Sequence, residues 1–153
     1  LTGCTDPEVG SRKLAERGIP LVLVTLGADG ACYRMGDVYG KVDGIAVKVG
    51  DTNGAGDSFW GGTLSAYLSL KKPIEALTWE EIHHCAVCGN ATAALCVQKR
   101  GGIPAIPTKE EVEQILSSVQ ERVVRPLLNH FSAWDCKPVD RIFEVNDVMP
   151  CYK

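Results

Sequence analysis

The seven residues Asp51-Thr52-Asn53-Gly54-Ala55-Gly56-Asp57 join two carboxylates to a turn almost bare of side chains. Two glycines flanking an alanine let the backbone turn tightly and bring successive N–H groups up to a ligand. The residues that follow, Ser58-Phe59-Trp60-Gly61-Gly62-Thr63-Leu64-Ser65-Ala66-Tyr67-Leu68, read as a helix, whereas the turn itself is expected to be non-helical. The bare N–H groups then lie at the positive end of that helix. There, unpaired amides and the helix dipole together favour a phosphate or a developing oxyanion. Asp57 has two readings: an acid in a first helical turn, where a carboxylate is favourable, or a base that takes a proton from a group attacking the bound anion. No G-x-x-x-x-G-K-[ST] occurs, so the usual phosphate loop does not account for the turn.

A second glycine pair, in Thr25-Leu26-Gly27-Ala28-Asp29-Gly30-Ala31, follows the apolar run of residues 21–26. That run has strand length and the continuous apolar character of a buried parallel strand. The pair reads as a tight reversal into the next strand. It also falls at the carboxyl end of a strand, where ligands of open α/β sheets gather.

The elements that must position these residues can be read in order. Thr5-Asp6-Pro7-Glu8 starts a helix running to about Arg17 and stopping at Gly18. Residues 32–35, 38–42 and 45–49 read as short strands separated by Gly36-Asp37 and Asp43-Gly44. They deliver the chain to Asp51. Gly61-Gly62 inside a helix costs about 1 kcal/mol per residue relative to alanine, which points to close backbone packing or ligand approach. The helix ends at Lys71-Lys72-Pro73. Thr78-Trp79-Glu80-Glu81 is a capping box opening a helix expected to reach Cys96 or Val97, with the polar Asn90 in its alanine-rich half. Thr108-Lys109-Glu110-Glu111 is a second capping box, and Val112, Ile115, Leu116 and Val119 mark an amphipathic last helix.

The stretch Asp-Thr-Asn-Gly-Ala-Gly-Asp-Ser-Phe-Trp-Gly-Gly resembles the C-terminal signature of the ribokinase-type (PfkB) carbohydrate kinases, D-T-x-G-A-G-D followed by a small residue, Phe and a Gly. The resemblance implies an α/β, ribokinase-like fold, a mostly parallel sheet flanked by helices, of which residues 1–118 would be the C-terminal nucleotide-binding part. It implies that Asp57 deprotonates the accepting sugar hydroxyl and that the amides of Gly54, Ala55 and Gly56 surround the transferring γ-phosphoryl. Asp51 would hold the loop and lie near a bound monovalent cation. V-T-x-G-x-x-G is a second recurring feature of the family, which makes Thr25, Gly27 and Gly30 nucleotide-side candidates. Asn90 falls where the family often has an Asn or His beside the adenine, and Gly101-Gly102-Ile103-Pro104 resembles the loop that lines the adenine pocket and faces the cation. Two departures stand out: Gly50 replaces the family's usual aliphatic residue, and the N-x-x-E motif that often precedes a sequence like Leu1-Thr2-Gly3 is missing. The implied activity is ATP-dependent phosphorylation of a sugar hydroxyl with Mg²⁺ and K⁺, fructose being the first-choice acceptor and ribose, 2-keto-3-deoxygluconate or a nucleoside the others. A catalytically inactive nucleotide-binding or interaction fragment is the alternative.

Length and composition agree with this reading without leading to it. The chain has 153 residues and a net charge of −3, with no basic excess to suit nucleic acid and no apolar run long enough for a membrane span. Seven cysteines, an odd number scattered through helices and strands, do not form a disulfide framework and point to a reducing, cytosolic compartment. His83-His84-Cys85-Ala86-Val87-Cys88 lacks the second ligand pair of a zinc site, and small buried cysteines are common on helices. A chain beginning at Leu1 is expected to be a piece of something longer, whose exposed sheet edge would form a homodimer or associate with a missing N-terminal half. Residues 119–153, with Pro126, Pro138 and Pro150, are expected to extend the last helix to near Asn129 and then to be irregular.

Overall fold

The computed structural model describes residues 2–130, with side chains through residue 119. Helix α1 (Pro7–Ala15) starts where Asp6 accepts the N–H groups of Glu8 and Val9, and Pro7 supplies a preset φ in the first turn. The chain leaves α1 through Gly18, at φ 84°, and enters β1 (Val22–Thr25). A tight turn over Gly27–Asp29 leads to β2 (Ala31–Met35), and Gly36, at φ 55°, begins the reversal into β3 (Val38–Val42). The strands form one sheet in the order β1-β2-β3, with Leu23 opposite Tyr33 and Tyr33 opposite Gly40. Helices α2 (Ala55–Ser69), α3 (Trp79–Cys96) and α4 (Lys109–His130) complete the described chain. Residues 131–153, and so the expected irregular tail, lie outside the described residues.

Two strand expectations are corrected. Residues 21–26 were expected as a parallel strand, but both pairings in the sheet are antiparallel. The link between β1 and β2 is far shorter than the dozen or more residues that a parallel crossover takes. Residues 45–49, expected as a strand, belong to no ladder. Gly44 is packed beneath the Ala28 carbonyl, while the N–H groups of Gly50 and Asp51 bond to Val97 at the end of α3, so the segment bridges two anchors outside the sheet.

β2 is buried along nearly its whole length because helices cover both faces of the sheet. On one face Arg34, 2% exposed, donates from Nε to Ser11 Oγ (3.0 Å) and from a terminal nitrogen to the Glu8 carbonyl (3.4 Å) of α1, with Tyr39 beneath its guanidinium at 5.0 Å. A buried guanidinium needs such partners, since stranding one in the interior is strongly destabilising. On the other face Tyr33 packs on α3, its hydroxyl 3.2 Å from His83 Nδ1. Tyr33, Val42, Leu77, Ile82 and Ala86 form the core between the sheet and α3.

α3 is also the surface on which α2 and α4 pack. The α2–α3 seam is closed by glycines. A Cβ at Gly62 would lie 2.8 Å from Thr92 Cβ, and one at Gly89 would lie 2.8 Å from the Phe59 carbonyl oxygen and collide with Thr63 Oγ1. The expense of glycine in a helix is thus offset by helix axes that approach more closely than any side chain permits. Gly61, by contrast, faces open space.

Gly89→Ala is expected to lower stability by about 1–3 kcal/mol through overpacking, while Gly61→Ala should leave it unchanged or raise it by up to about 1 kcal/mol; thermal denaturation of both variants checks this. Burial, and secondarily the neighbouring His84, hold the imidazole of His83 below its ordinary pKa of 6.5. The unfolded chain therefore binds a proton first as pH falls. Stability should be full above about pH 6.5 and decline below it until the folded-state pKa is passed, and urea midpoints measured across that range should lose this step in His83→Gln.

Candidate functional site

The turn at residues 51–54 is held on the C-terminal end of α3 and the loop that follows it. Val97, the last residue associated with α3, accepts N–H bonds from Gly50 (2.7 Å) and Asp51 (3.1 Å). A helix end has carbonyls without intrahelical partners, so it can receive an incoming strand of backbone in this way. Asp51 makes the second attachment. Its Oδ1 accepts the Asn53 N–H (3.0 Å), and its Oδ2 accepts the Gly101 N–H (3.1 Å) and the Asn53 side-chain amide (3.4 Å). The Asn53 amide foremost, then that of Gly101, hold the Asp51 carboxyl below the usual carboxylate range, with a smaller contribution from Arg100; partial burial acts against them. Asp51 therefore ties the turn to the 101–102 loop as an anion.

Gly54 follows at φ 79° and ψ 1°, a left-handed conformation that glycine adopts without strain. Space demands glycine as well, because a Cβ there would stand 3.0 Å from the Gly102 Cα. α2 begins at Ala55, so Ala55 and Gly56 are already helical and the expected non-helical turn ends at Gly54. The first intrahelical bond runs from the Ser58 N–H to the Gly54 carbonyl at 2.8 Å. Of the expected amides, that of Ala55 donates to the Thr52 carbonyl at 3.3 Å, whereas those of Gly56 and Asp57 precede the i to i−4 ladder and stand at the positive end of a 15-residue helix. Gly56 and Asp57 are both exposed, and a Cβ on Gly56 would meet nothing within 4 Å. Asp57 lies in the first turn.

The other candidate residues form a second group. Thr25 is exposed at the end of β1, and Gly27, at φ 62°, turns the chain. Gly30, at φ 93°, is packed directly on the Val42 carbonyl, with Gly44 N 2.6 Å from where its Cβ would be. Asn90, 8% exposed, donates its side-chain amide to the carbonyls of Val42 (3.4 Å) and Asp43 (3.2 Å). In this structure Gly30 and Asn90 fix the end of β3, a task that the type and position of Asn90 did not announce. The Gly101 site is part of the first group, through Asp51.

A groove of about 450 Å³ lies where residues 45–47 meet the end of α3 and α4, lined by Ile45, Ala46, Val47, Leu95, Gln98, Glu111, Gln114, Ile115, Ser118 and Val119. Its lining mixes apolar side chains with the amides of Gln98 and Gln114, the Ser118 hydroxyl and the carboxylate of Glu111, which pairs with Lys99. Residues 45–47 and the Ile115 side of α4 were not among the sequence-derived site residues. Their apolar pattern reads as a strand and a helix face, and only the departure of residues 45–49 from the sheet makes them walls of a groove. Among the described residues no cluster of three or more His, Cys, Asp or Glu is present, and no helix is long and apolar enough to cross a membrane.

The pfkB family carbohydrate kinase model matches residues 1–109. The chain is 43% identical over 106 residues to a protein named probable fructokinase-6, chloroplastic, of Arabidopsis thaliana, a match covering 69% of this chain and 27% of that protein. Its backbone is similar to a fructokinase double mutant from Vibrio cholerae O395 bound to fructose, ADP and potassium, with TM-score 0.66 and 34% identity over 74% of this chain and 36% of the other. It is also similar to the aminoimidazole riboside kinase of Salmonella enterica, complexed with aminoimidazole riboside and an ATP analogue, with TM-score 0.65 and 27% identity over 76% and 38% of the two chains. These matches span well under half the length of the relatives, and they agree with the α/β, ribokinase-like architecture read from the signature. With its glycine turn, its helix-end amides and its flanking carboxylates all falling within the matched residues, the chain belongs to the pfkB family of carbohydrate kinases.

Proposed function

We propose that this chain is the nucleotide-binding and phosphoryl-receiving part of an ATP-dependent sugar kinase, with fructose as the first-choice acceptor. The observation that carries the proposal is the open start of α2, where the Gly56 and Asp57 amides precede the helical ladder and the Asp57 carboxylate stands beside them. Fructokinases among its relatives, and a fructose- and ADP-bound neighbour, support the choice of sugar.

In this reading the groove beside residues 45–47 receives the base of the nucleotide, Leu95 and Ile115 offering apolar contact and Gln98 and Gln114 amides. The triphosphate extends toward the start of α2, where backbone amides and the helix dipole stabilise charge on the transferring γ-phosphoryl. Asp57 removes the proton of the attacking hydroxyl as the oxygen–phosphorus bond forms and the bond to the β-phosphate oxygen breaks, leaving ADP and the sugar phosphate. Asp51 keeps its charge while holding the 101–102 loop, and its carboxylate suits the neighbourhood of a monovalent cation such as K⁺, the ion present in the fructose-bound neighbour. Mg²⁺ would arrive on the nucleotide phosphates and neutralise their charge. Thr25 and Gly27 are assigned to the nucleotide side, and Asn90 acts there through the backbone it holds at Asp43. A reducing compartment, the cytosol, is the proposed setting, and a homodimer or association with a further part of the kinase is the proposed assembly.

Calorimetric titration of the 153-residue chain with Mg·ATP, with and without potassium, tests the nucleotide half of this reading. Saturable binding is expected, and its absence from a folded chain would refute it. Asp57→Asn in the kinase should retain ATP affinity within about threefold and lower sugar phosphorylation by at least about a hundredfold, the scale of general-base catalysis. Comparable turnover in that variant would remove Asp57 from the mechanism.

A further inference from the structure

We propose that Gly50 and Cys96 are positioning residues, which together set how closely the anion-binding turn lies on the C-terminal turn of α3. The proposal deepens the kinase reading and rests on it for its catalytic consequence.

The two contacts bracket the turn. On the entering side Gly50 lies against α3: its N–H reaches the Val97 carbonyl at 2.7 Å, and a Cβ on Gly50 would stand 2.9 Å from the Gln98 carbonyl oxygen and 3.4 Å from its carbon. Carbonyl backbone does not yield as a flexible side chain would, so in this chain a Cβ at residue 50 requires the segment and the helix end to shift apart. This gives the glycine a reason that strand packing does not supply, because residues 45–49 join no ladder. On the leaving side Cys96 is wholly buried, at 0% exposure, and its Sγ–H donates to the Asn53 carbonyl at 3.8 Å. The same sulfur lies 3.7 Å from where a Cβ on Gly54 would be. A thiol is a weak donor, and its bulk fills the space beneath the Asn53–Gly54 peptide as much as its proton orients it.

That peptide leads into Gly54, the residue before α2, so its height and tilt bear on the direction of the amides that follow. Displacement of about 1 Å in a positioned catalytic group can cost about a hundredfold in rate. Neither Gly50 nor Cys96 is among the residues lining the proposed nucleotide groove, although residue 50 meets the backbone carbonyl of Gln98, which is, and the effect on the start of α2 passes through the turn.

Amide hydrogen exchange of the 153-residue chain and steady-state kinetics of the kinase with Mg·ATP and fructose test this together. Gly50→Val and Cys96→Ala should each speed exchange at the hydrogen-bonded amides of residues 51, 53, 55 and 58 by about tenfold relative to the rest of the chain. They should lower kcat by at least about tenfold while KM for either substrate stays within about twofold, and Cys96→Ser, which keeps a donor, should recover most of the loss. Unchanged local exchange and unchanged kcat in folded Gly50→Val and Cys96→Ala would overturn the proposal. Should Gly50→Val fail to fold, Gly50→Ala, whose single methyl meets the same carbonyl, decides it by the same readouts. A wild-type protein that phosphorylates no sugar, yet whose variants show the local exchange change, would refute the kinase reading and uphold the positioning role.

Discussion

The close approach of α2 to α3 is the constraint on which the remaining structure depends. Gly62 and Gly89 remove side chains from the seam at the points where the two backbones are nearest, and Thr63, Thr92 and Phe59 fill the space around them. Backbone this close leaves little freedom for either helix to slide or rotate, because every residue in the seam is already at contact distance. α3 is in turn packed against β2 and β3 on another side and against α4 on a third. It therefore fixes the start of α2 relative to the sheet, although α2 packs chiefly on α3.

The end of α3 is where packing becomes chemistry. A helix must finish with unsatisfied carbonyls, and here the Val97 carbonyl takes the backbone that leads into the glycine turn. The start of α2 has the complementary need, amides without acceptors, and that need is left open toward solvent. One helix end thus holds the loop in place while the other offers the charge that an anion requires. Asp51 joins both to the 101–102 loop, and its carboxylate is kept ionised by the amides that it orders.

A similar economy governs the sheet. Arg34 and Tyr33 are neighbours on β2 and point to opposite faces, one reaching α1 through Ser11 and Glu8, the other reaching α3 through His83. Each of these two side chains finds its partner on the helix covering its own face. The α1 contacts and the α3 contacts are consequently linked through a single strand. Asn90 adds the last tie by fixing Val42 and Asp43, so that residues 45–49 leave β3 in a defined direction and form the wall of the groove.

Much of this was determined locally and could be read from the sequence. The capping residues Asp6, Thr78 and Thr108 marked three helix starts because capping is a contact between residues two or three positions apart. The signature at residues 51–57 was legible for the same reason: a glycine turn and the helix that follows it are set by adjacent residues. Only the tertiary structure decided the antiparallel pairing of β1, the release of residues 45–49 from the sheet, the structural work of Gly30 and Asn90, and the seat of the turn on Val97 and Cys96. The pairing of β1 turns on the short link to β2, while the work of Asn90 and the seat of the turn depend on groups dozens of residues apart, such as Asn90 with Val42 or Gly50 with Val97. Spacing along the chain carries no record of which distant carbonyl or thiol will be near enough to touch, because that distance is set by the packed helices and not by the residues themselves.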